Sequence, residues 1–248
     1  MMTEPTKEKL YSMRLAAMAV AWMEQHKDPK IGSLDFDDRF SLLVDAEYLA
    51  RDNRRLQRLL KDARLRLAEA CLEDVEVSSA RGLEKSVLAQ LAGCGWVGDH
   101  RNVLISGATG VGKSYVACAL GQAACRRGFR TVYRRMPRLF EELSLAKADG
   151  SYAKVLGKVA RFDVLILDDL GIGALKEPQR HDLLEVLEDR YDCRSTVVTS
   201  QIPVAKWHEW IGDPTLADAI LDRLVHNAYK LSLKGPSRRK EKMKGNNQ

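Results

Sequence analysis

Eight consecutive residues constrain this chain more than any other feature: Gly107-Ala108-Thr109-Gly110-Val111-Gly112-Lys113-Ser114. They read G-x-x-x-x-G-K-S. The apolar run Val103-Leu104-Ile105 precedes them as a buried strand would, and Tyr115-Val116-Ala117-Cys118-Ala119-Leu120 follows like the first turns of a helix. A strand that passes through a glycine-rich turn into a helix suits phosphate binding. Glycines let the backbone curl until successive N–H groups point inward at phosphate oxygens. The helix adds the positive end of its dipole. Lys113 can then reach the β- and γ-phosphates of a nucleoside triphosphate, and Ser114 can hold Mg²⁺. Chance would supply the four fixed positions in a chain of this length with a probability on the order of 1%. Gly107, Ala108, Thr109, Gly110, Val111, Gly112, Lys113, Ser114 and Tyr115 are therefore read together as nucleotide-binding residues, with ATP and Mg²⁺ as the expected ligands.

The 248 residues suffice for one large domain, or a small one plus a medium one. The chain is 45% hydrophobic and 30% charged, which excludes a disordered chain. Its net charge of +6 favours an acidic partner, of which nucleic acid is the common one. Five cysteines, without a C-x-x-C pair, suggest neither a disulfide framework nor a zinc site. With an ATP-type loop present, the expected compartment is a reducing cytoplasm. The apolar run Leu15 to Met23 is too short to span a bilayer, so no membrane partner is expected. It mimics a signal-peptide core, but Glu4 and Glu8 precede it, and an ordinary N-terminal helix is the better reading.

Residues 1–70 read as all-helical. One helix is predicted from Thr6 to His26, broken by Asp28-Pro29-Lys30-Ile31-Gly32. Asp35 is the predicted cap of a second helix, running from Asp37 to about Glu73. At 100° per residue, Leu49, Leu56, Leu60, Ala63 and Leu67 share one face of it. Arg51, Arg54, Arg55, Arg58 and Lys61 share the opposite face. The nearby acids counted against this stripe are Asp52 and Asp62, so it is read as a phosphate-backbone contact for DNA. A solvated basic face on a packed helix is the alternative.

From residue 71 a helical approach leads to alternating strands and helices. Strands are expected at Val103–Ser106, Thr131–Arg134, Asp163–Leu167, Thr196–Thr199 and Tyr229–Leu233. Helices are expected at Lys113–Arg127, from Pro137, at Gln179–Tyr191 and at Thr215–Asn227. The fold class is α/β: a five-stranded parallel sheet flanked by helices, with ligand at the carboxyl ends of its strands, plus a small N-terminal all-helical domain. The expected domains are 1–70, 71–233 and a basic tail, 234–248.

Val164-Leu165-Ile166-Leu167 runs into Asp168-Asp169. A buried apolar strand does not end in two carboxylates for stability alone. At the sheet's carboxyl edge, Asp168 is suited to Mg²⁺ and Asp169 to orienting or deprotonating the attacking water.

One strand intervenes between the loop strand and the carboxylate strand, an arrangement that resembles the AAA+ ATPases. The resemblance implies a fourth strand ending in a polar residue that senses the γ-phosphate. Thr196-Val197-Val198-Thr199-Ser200-Gln201 fits, with Gln201 as the sensor, or Ser200 if the register shifts by one. Leu221-Asp222-Arg223-Leu224 resembles the segment that carries the family's arginine finger. Arg223 is then expected to reach the γ-phosphate on a neighbouring subunit; Arg190 is a lesser candidate, better read as structural. Gly235-Pro236-Ser237-Arg238-Arg239 resembles the G-x-S-x-R ending of bacterial helicase loaders, with Arg239 as a nucleotide contact.

A basic helical region ahead of a minimal AAA+ module, with Asp168-Asp169-Leu170-Gly171 and Asp222-Arg223-Leu224, resembles the IstB family of insertion-sequence helper ATPases. Its nearest relatives are DnaC-type helicase loaders and the initiator DnaA. The departures are Asp169, where many AAA+ proteins have Glu, and Gln201 in place of Asn. The resemblance implies ATP-dependent homo-oligomerisation on double-stranded DNA, delivery of that DNA to a cognate transposase, and partner-stimulated ATP hydrolysis. The alternative it leaves open is a DnaC-like loader of a replicative helicase.

Overall fold

Where the chain must bury carboxylates, it recruits donors from distant elements, and this shapes both halves of the protein. The structure, a computed structural model, describes residues 3–238. The chain divides into two compact units between Arg58 and Leu59.

The first unit contains α1 (Thr3–Ser12), α2 (Ala16–Gln25), α3 (Pro29–Gly32) and most of α4 (Phe36–Ala63). The single helix predicted over 6–26 is broken. Arg14 takes φ +61°, and the Leu15 N–H closes back on the Leu10 carbonyl at 2.8 Å. Glu47 accounts for the new start. Its Oε2 accepts the N–H groups of Ala17 (2.9 Å) and Met18 (3.1 Å), which the first turn of α2 leaves without intrahelical partners. The other oxygen accepts Arg51 Nε at 2.8 Å and Arg54 Nη2 at 3.4 Å. The hydrogen bond from Arg51 leads the effects that hold the buried Glu47 carboxyl below its usual range. The sequence count of acids balancing the basic stripe thus omitted the one that takes two of its arginines. Arg51, Arg54, Arg55 and Arg58 are nonetheless exposed along their helix.

Asp35 Oδ1 accepts the Asp38 N–H at 2.9 Å, the predicted cap. The helix ends at Ala63 rather than near Glu73, because Arg64 takes φ +50°. The predicted apolar face is only partly buried: Ala63 is fully covered, whereas Leu49 is 58% exposed and Leu67 lies beyond the helix end.

In the second unit, α5 (Lys85–Ala92) and α6 (Gly95–Gly98) lead to β1 (Asn102–Gly107) and α7 (Lys113–Arg126). Then follow β2 (Thr131–Arg135), α8 (Met136–Ala148), α9 (Tyr152–Ala160), β3 (Val164–Leu170) and α10 (Glu177–Glu188). Last come β4 (Ser195–Ser200), α11 (Trp207–Ile211), α12 (Pro214–Val225) and β5 (Ala228–Leu233). Helices α9 and α11 were not predicted. The sheet is parallel throughout, in the order β2-β3-β4-β1-β5. The strand that follows the loop strand in sequence therefore lies three places from it, with β3 and β4 between.

Alternation along the strands feeds two cores. Val103, Ile105, Val164, Ile166 and Val197 join the core on the α7 side. Leu104, Leu165, Leu167 and Val198 join the core under α8, α10 and α12. Both faces are covered, as a parallel sheet requires. At the amino edge, fully buried Arg190 closes the structure. It donates to the carbonyls of Val159, Phe162 and Ser195 and to Thr196 Oγ1, at 2.6–3.2 Å. Burial pulls its pKa down to about 9. Its role here is to join the starts of β3 and β4.

Replacing Glu47 with Ala should cost about 1–3 kcal/mol at neutral pH, from the stranded N–H groups and arginines. A depressed carboxyl pKa stabilises the fold above the unfolded value, and that contribution fades as pH falls through the folded value. The difference between wild type and variant, read from urea midpoints, should therefore shrink on acidification; a difference that stays constant from pH 7 to pH 3 would refute this role.

Candidate nucleotide-binding site

Residues 108–112 form the turn between β1 and α7. Gly107 has φ +149° and Gly110 φ +87°. A Cβ on Gly107 would lie 2.3 Å from the Leu233 carbonyl oxygen, and one on Gly110 would lie 2.1 Å from Ser237 Oγ. Both dihedral and space therefore demand glycine at these positions. The segment after β5 runs back over the loop: the Arg238 N–H donates to the Gly110 carbonyl at 3.0 Å. Arg81 Nη2 donates to the Val111 carbonyl at 2.8 Å, and Glu76 pairs with both Arg81 and Arg238.

Lys113 opens α7, is only 8% exposed, and donates to the Gly107 and Ala108 carbonyls at 2.8 and 2.9 Å. Ala108 and Thr109 face solvent at the tip of the loop. Tyr115, one residue past Ser114, packs against the core on the α7 side.

Asp168 is the centre of the site. It is 0% exposed. It accepts Ser114 Oγ at 2.8 and 3.0 Å, Tyr133 Oη at 2.6 Å and Thr199 Oγ1 at 2.5 Å. Arg66 Nη1 lies 3.6 Å from Oδ2. An unpartnered carboxylate there would cost several kcal/mol; hydrogen bonds to a charged group contribute about 1.5–3 kcal/mol each and offset this. Burial, and then the bond to Asp168, push the Tyr133 hydroxyl pKa far above its ordinary value.

A β-bulge separates the two carboxylates. Leu167 pairs with Val198 and Leu170 with Ser200, so Asp168 and Asp169 together oppose Thr199. Asp169 takes φ +69°, and its N–H donates to Thr199 Oγ1 at 3.0 Å. Asp168 is thereby buried toward Ser114, whereas the half-buried Asp169 side chain pairs with Arg135 at 2.9 and 3.0 Å. Ser114 and Asp168, in direct contact, offer the hard oxygen donors that Mg²⁺ prefers. Among the described residues no group of three or more His, Cys, Asp or Glu stands together as a metal site. Mg²⁺ beside phosphates needs only one or two protein ligands.

The other predicted residues fall in different places. Gln201 Oε1 accepts Thr109 Oγ1 at 2.8 Å, at the exposed tip of the loop. Ser200 is fully buried and donates to the Leu170 carbonyl at 2.8 Å. Arg223, near the end of α12, pairs with Glu188 and donates to the Ala219 carbonyl at 2.8 Å. It borders a cavity of about 410 Å³ at the amino edge of the sheet, lined also by Asn102, Thr196 and Asn227, and so does not meet Lys113 of its own chain. Lys61 is exposed near the end of α4. Arg239 lies outside the described residues. The sequence reading missed Tyr133, Thr199, Arg66, Arg81 and Arg135. For Tyr133 and Thr199 a signal existed: each is a hydroxyl near the carboxyl end of an apolar strand. For the arginines none did.

A parallel sheet of this order, with a glycine-rich loop after β1 and a carboxylate pair on β3, defines an AAA+ nucleotide-binding domain. Among known proteins, the family described as "IstB-like ATP binding protein" matches residues 8–245, and the chain belongs to that family. It is 47% identical over 240 residues to an insertion sequence ATP-binding protein of Sinorhizobium fredii (strain NBRC 101917 / NGR234), covering 97% of this chain and 98% of that one. It is 49% identical over 203 residues to the insertion sequence IS1162 ATP-binding protein of Pseudomonas fluorescens, covering 82% and 88%. The crystal structure of the DnaC helicase loader shares the fold, with a TM-score of 0.55 at 22% identity over 66% of this chain and 97% of that one.

Thr199→Val removes a donor to the buried carboxylate and the acceptor of the Asp169 N–H. It should cost about 1–3 kcal/mol in urea unfolding with an unchanged m-value. A loss below about 0.5 kcal/mol, the range of ordinary surface changes, would refute this bridging role.

Proposed function

We propose that this protein is an Mg²⁺-dependent ATPase that regulates transposition. It assembles on duplex DNA in the presence of ATP, delivers that DNA to a partner transposase, and hydrolyses ATP when the partner stimulates it. The observation that carries the reading is the direct contact of Ser114 with buried Asp168 beneath the glycine-rich loop, with Asp169 beside it. Identity to insertion sequence ATP-binding proteins over nearly the whole chain supports the biological setting.

In this reading the loop N–H groups and Lys113 bind the phosphates, and Lys113 exchanges its two loop carbonyls for phosphate oxygens. Ser114 and Asp168 hold Mg²⁺, which when bound neutralises charge on the phosphate oxygens. Asp169 orients or deprotonates the attacking water. Gln201, at the loop tip through Thr109, senses the γ-phosphate. Arg223 acts on the nucleotide of a neighbouring subunit, which links bound ATP to assembly. Arg51, Arg54, Arg55, Arg58 and Lys61 contact DNA phosphates, and their repetition over subunits turns weak contacts into tight ones.

Two experiments test this. Lys113→Ala should abolish nucleotide binding, and Arg223→Ala should leave binding within a few-fold while lowering hydrolysis by about 10³. Mixing the two inactive variants should restore turnover, because each supplies what the other lacks. Persistent inactivity of a mixture in which the two variants co-sediment as one complex would refute action between subunits. Replacing Arg55, Arg58 and Lys61 with Ala should weaken duplex binding about equally across sequences and flatten the salt slope by up to about three units. An unchanged slope would return the stripe to a solvated face.

A further inference from the structure

The buried carboxylate has one partner that comes from just beyond the basic helix. After α4 stops at Ala63, Arg64 turns the chain with φ +50° and Leu65 packs on α7. A Cβ on Gly121 of α7 would lie 3.1 Å from Leu65 Cδ2, so the segment sits directly on the helix that begins with Lys113 and Ser114. The next residue is Arg66. Its guanidinium lies 3.6 Å from Asp168 Oδ2, the oxygen that also accepts Tyr133 Oη at 2.6 Å and Ser114 Oγ at 3.0 Å. A hydrogen bond to Tyr133 leads the effects that raise the Arg66 pKa, with the charges of Asp168 and Asp169 acting the same way. Its side chain is 41% exposed, so the pair is a cation at the solvent boundary beside an anion that is fully enclosed.

A fixed positive charge beside a metal-binding carboxylate opposes a second positive charge there. With Arg66 in place, the Ser114–Asp168 pair should bind Mg²⁺ more weakly than it otherwise would. Arg66 also follows α4 by three residues, and α4 carries Arg51, Arg54, Arg55 and Arg58.

We propose that Arg66 is a positioning residue through which the basic helix sets the metal affinity of the nucleotide site: seated on Asp168 it raises the Mg²⁺ requirement, and nucleic acid on the helix draws it off and lowers that requirement. The coupling to nucleic acid rests on the DNA-binding role proposed above; the competition between Arg66 and Mg²⁺ does not.

The test is a Mg²⁺ titration of the binding of a fluorescent ATP analogue to the full chain, with and without duplex DNA. Wild type, Arg66→Gln, Arg66→Met and Arg66→Lys are compared, each checked for folding by circular dichroism. In wild type, DNA should lower the Mg²⁺ half-saturation by about fivefold or more. Arg66→Gln and Arg66→Met should show the lower value without DNA and respond to DNA by less than about twofold. Arg66→Lys, which keeps the charge, should respond as wild type does. An unchanged or raised Mg²⁺ requirement in both neutral variants without DNA would overturn the proposal. So would a full DNA response in those variants. If wild type binds no duplex by fluorescence anisotropy, the DNA-binding role and the coupling fail together, and the DNA-free comparison still decides whether Arg66 opposes the metal.

Discussion

Burying the carboxylate of Asp168 imposes demands on four separate stretches of chain at once. A lone carboxylate in that position would not be tolerated, so β2 supplies Tyr133, β4 supplies Thr199, α7 supplies Ser114, and the segment after α4 supplies Arg66. The same demands set the geometry of the sheet's carboxyl edge. Thr199 serves both aspartates, accepting from the Asp169 backbone N–H while donating to the Asp168 carboxylate, because a bulge places both opposite one residue. That bulge turns Asp169 away from the core toward Arg135. A stability requirement has thus divided two adjacent, chemically identical side chains into an enclosed one and an accessible one. This is the division of labour that a metal ligand and a water-orienting base need.

The two edges of the sheet are built for different work. At the carboxyl edge the segment 234–238 presses on the glycine loop, and Glu76 ties Arg81 to Arg238 beside it. At the amino edge Arg190 joins backbone carbonyls internally, while Arg223, also beside the cavity, is held by Glu188. Two arginines that look alike in the sequence therefore differ in kind. One is saturated and buried, with its pKa drawn down by enclosure; the other is held at the border of a cavity.

The five strands, their parallel arrangement and the loop were legible because each leaves a local mark: apolar runs of strand length, glycines at fixed spacing, carboxylates ending a hydrophobic strand. Family membership was legible for the same reason. Less so were features that depend on contacts between residues far apart in the chain. The break at Arg14 follows from Glu47, some thirty positions later, which takes the N–H groups of α2. The early end of α4 lies in the backbone of Arg64, a residue type that ordinarily continues a helix. Arg66 and Arg135 gave no signal, since a single arginine in a basic chain is unremarked until its partner is known.

In the function proposed above, bound ATP and duplex DNA together drive assembly. Sedimentation velocity of the purified protein with matched duplex and single-stranded DNA, each with and without ATP and Mg²⁺, tests it most directly. Large, fast-sedimenting complexes should form only when ATP and duplex are both present. Equal or stronger assembly on single strands would contradict it and favour a helicase loader, and one small species under every condition would contradict it outright.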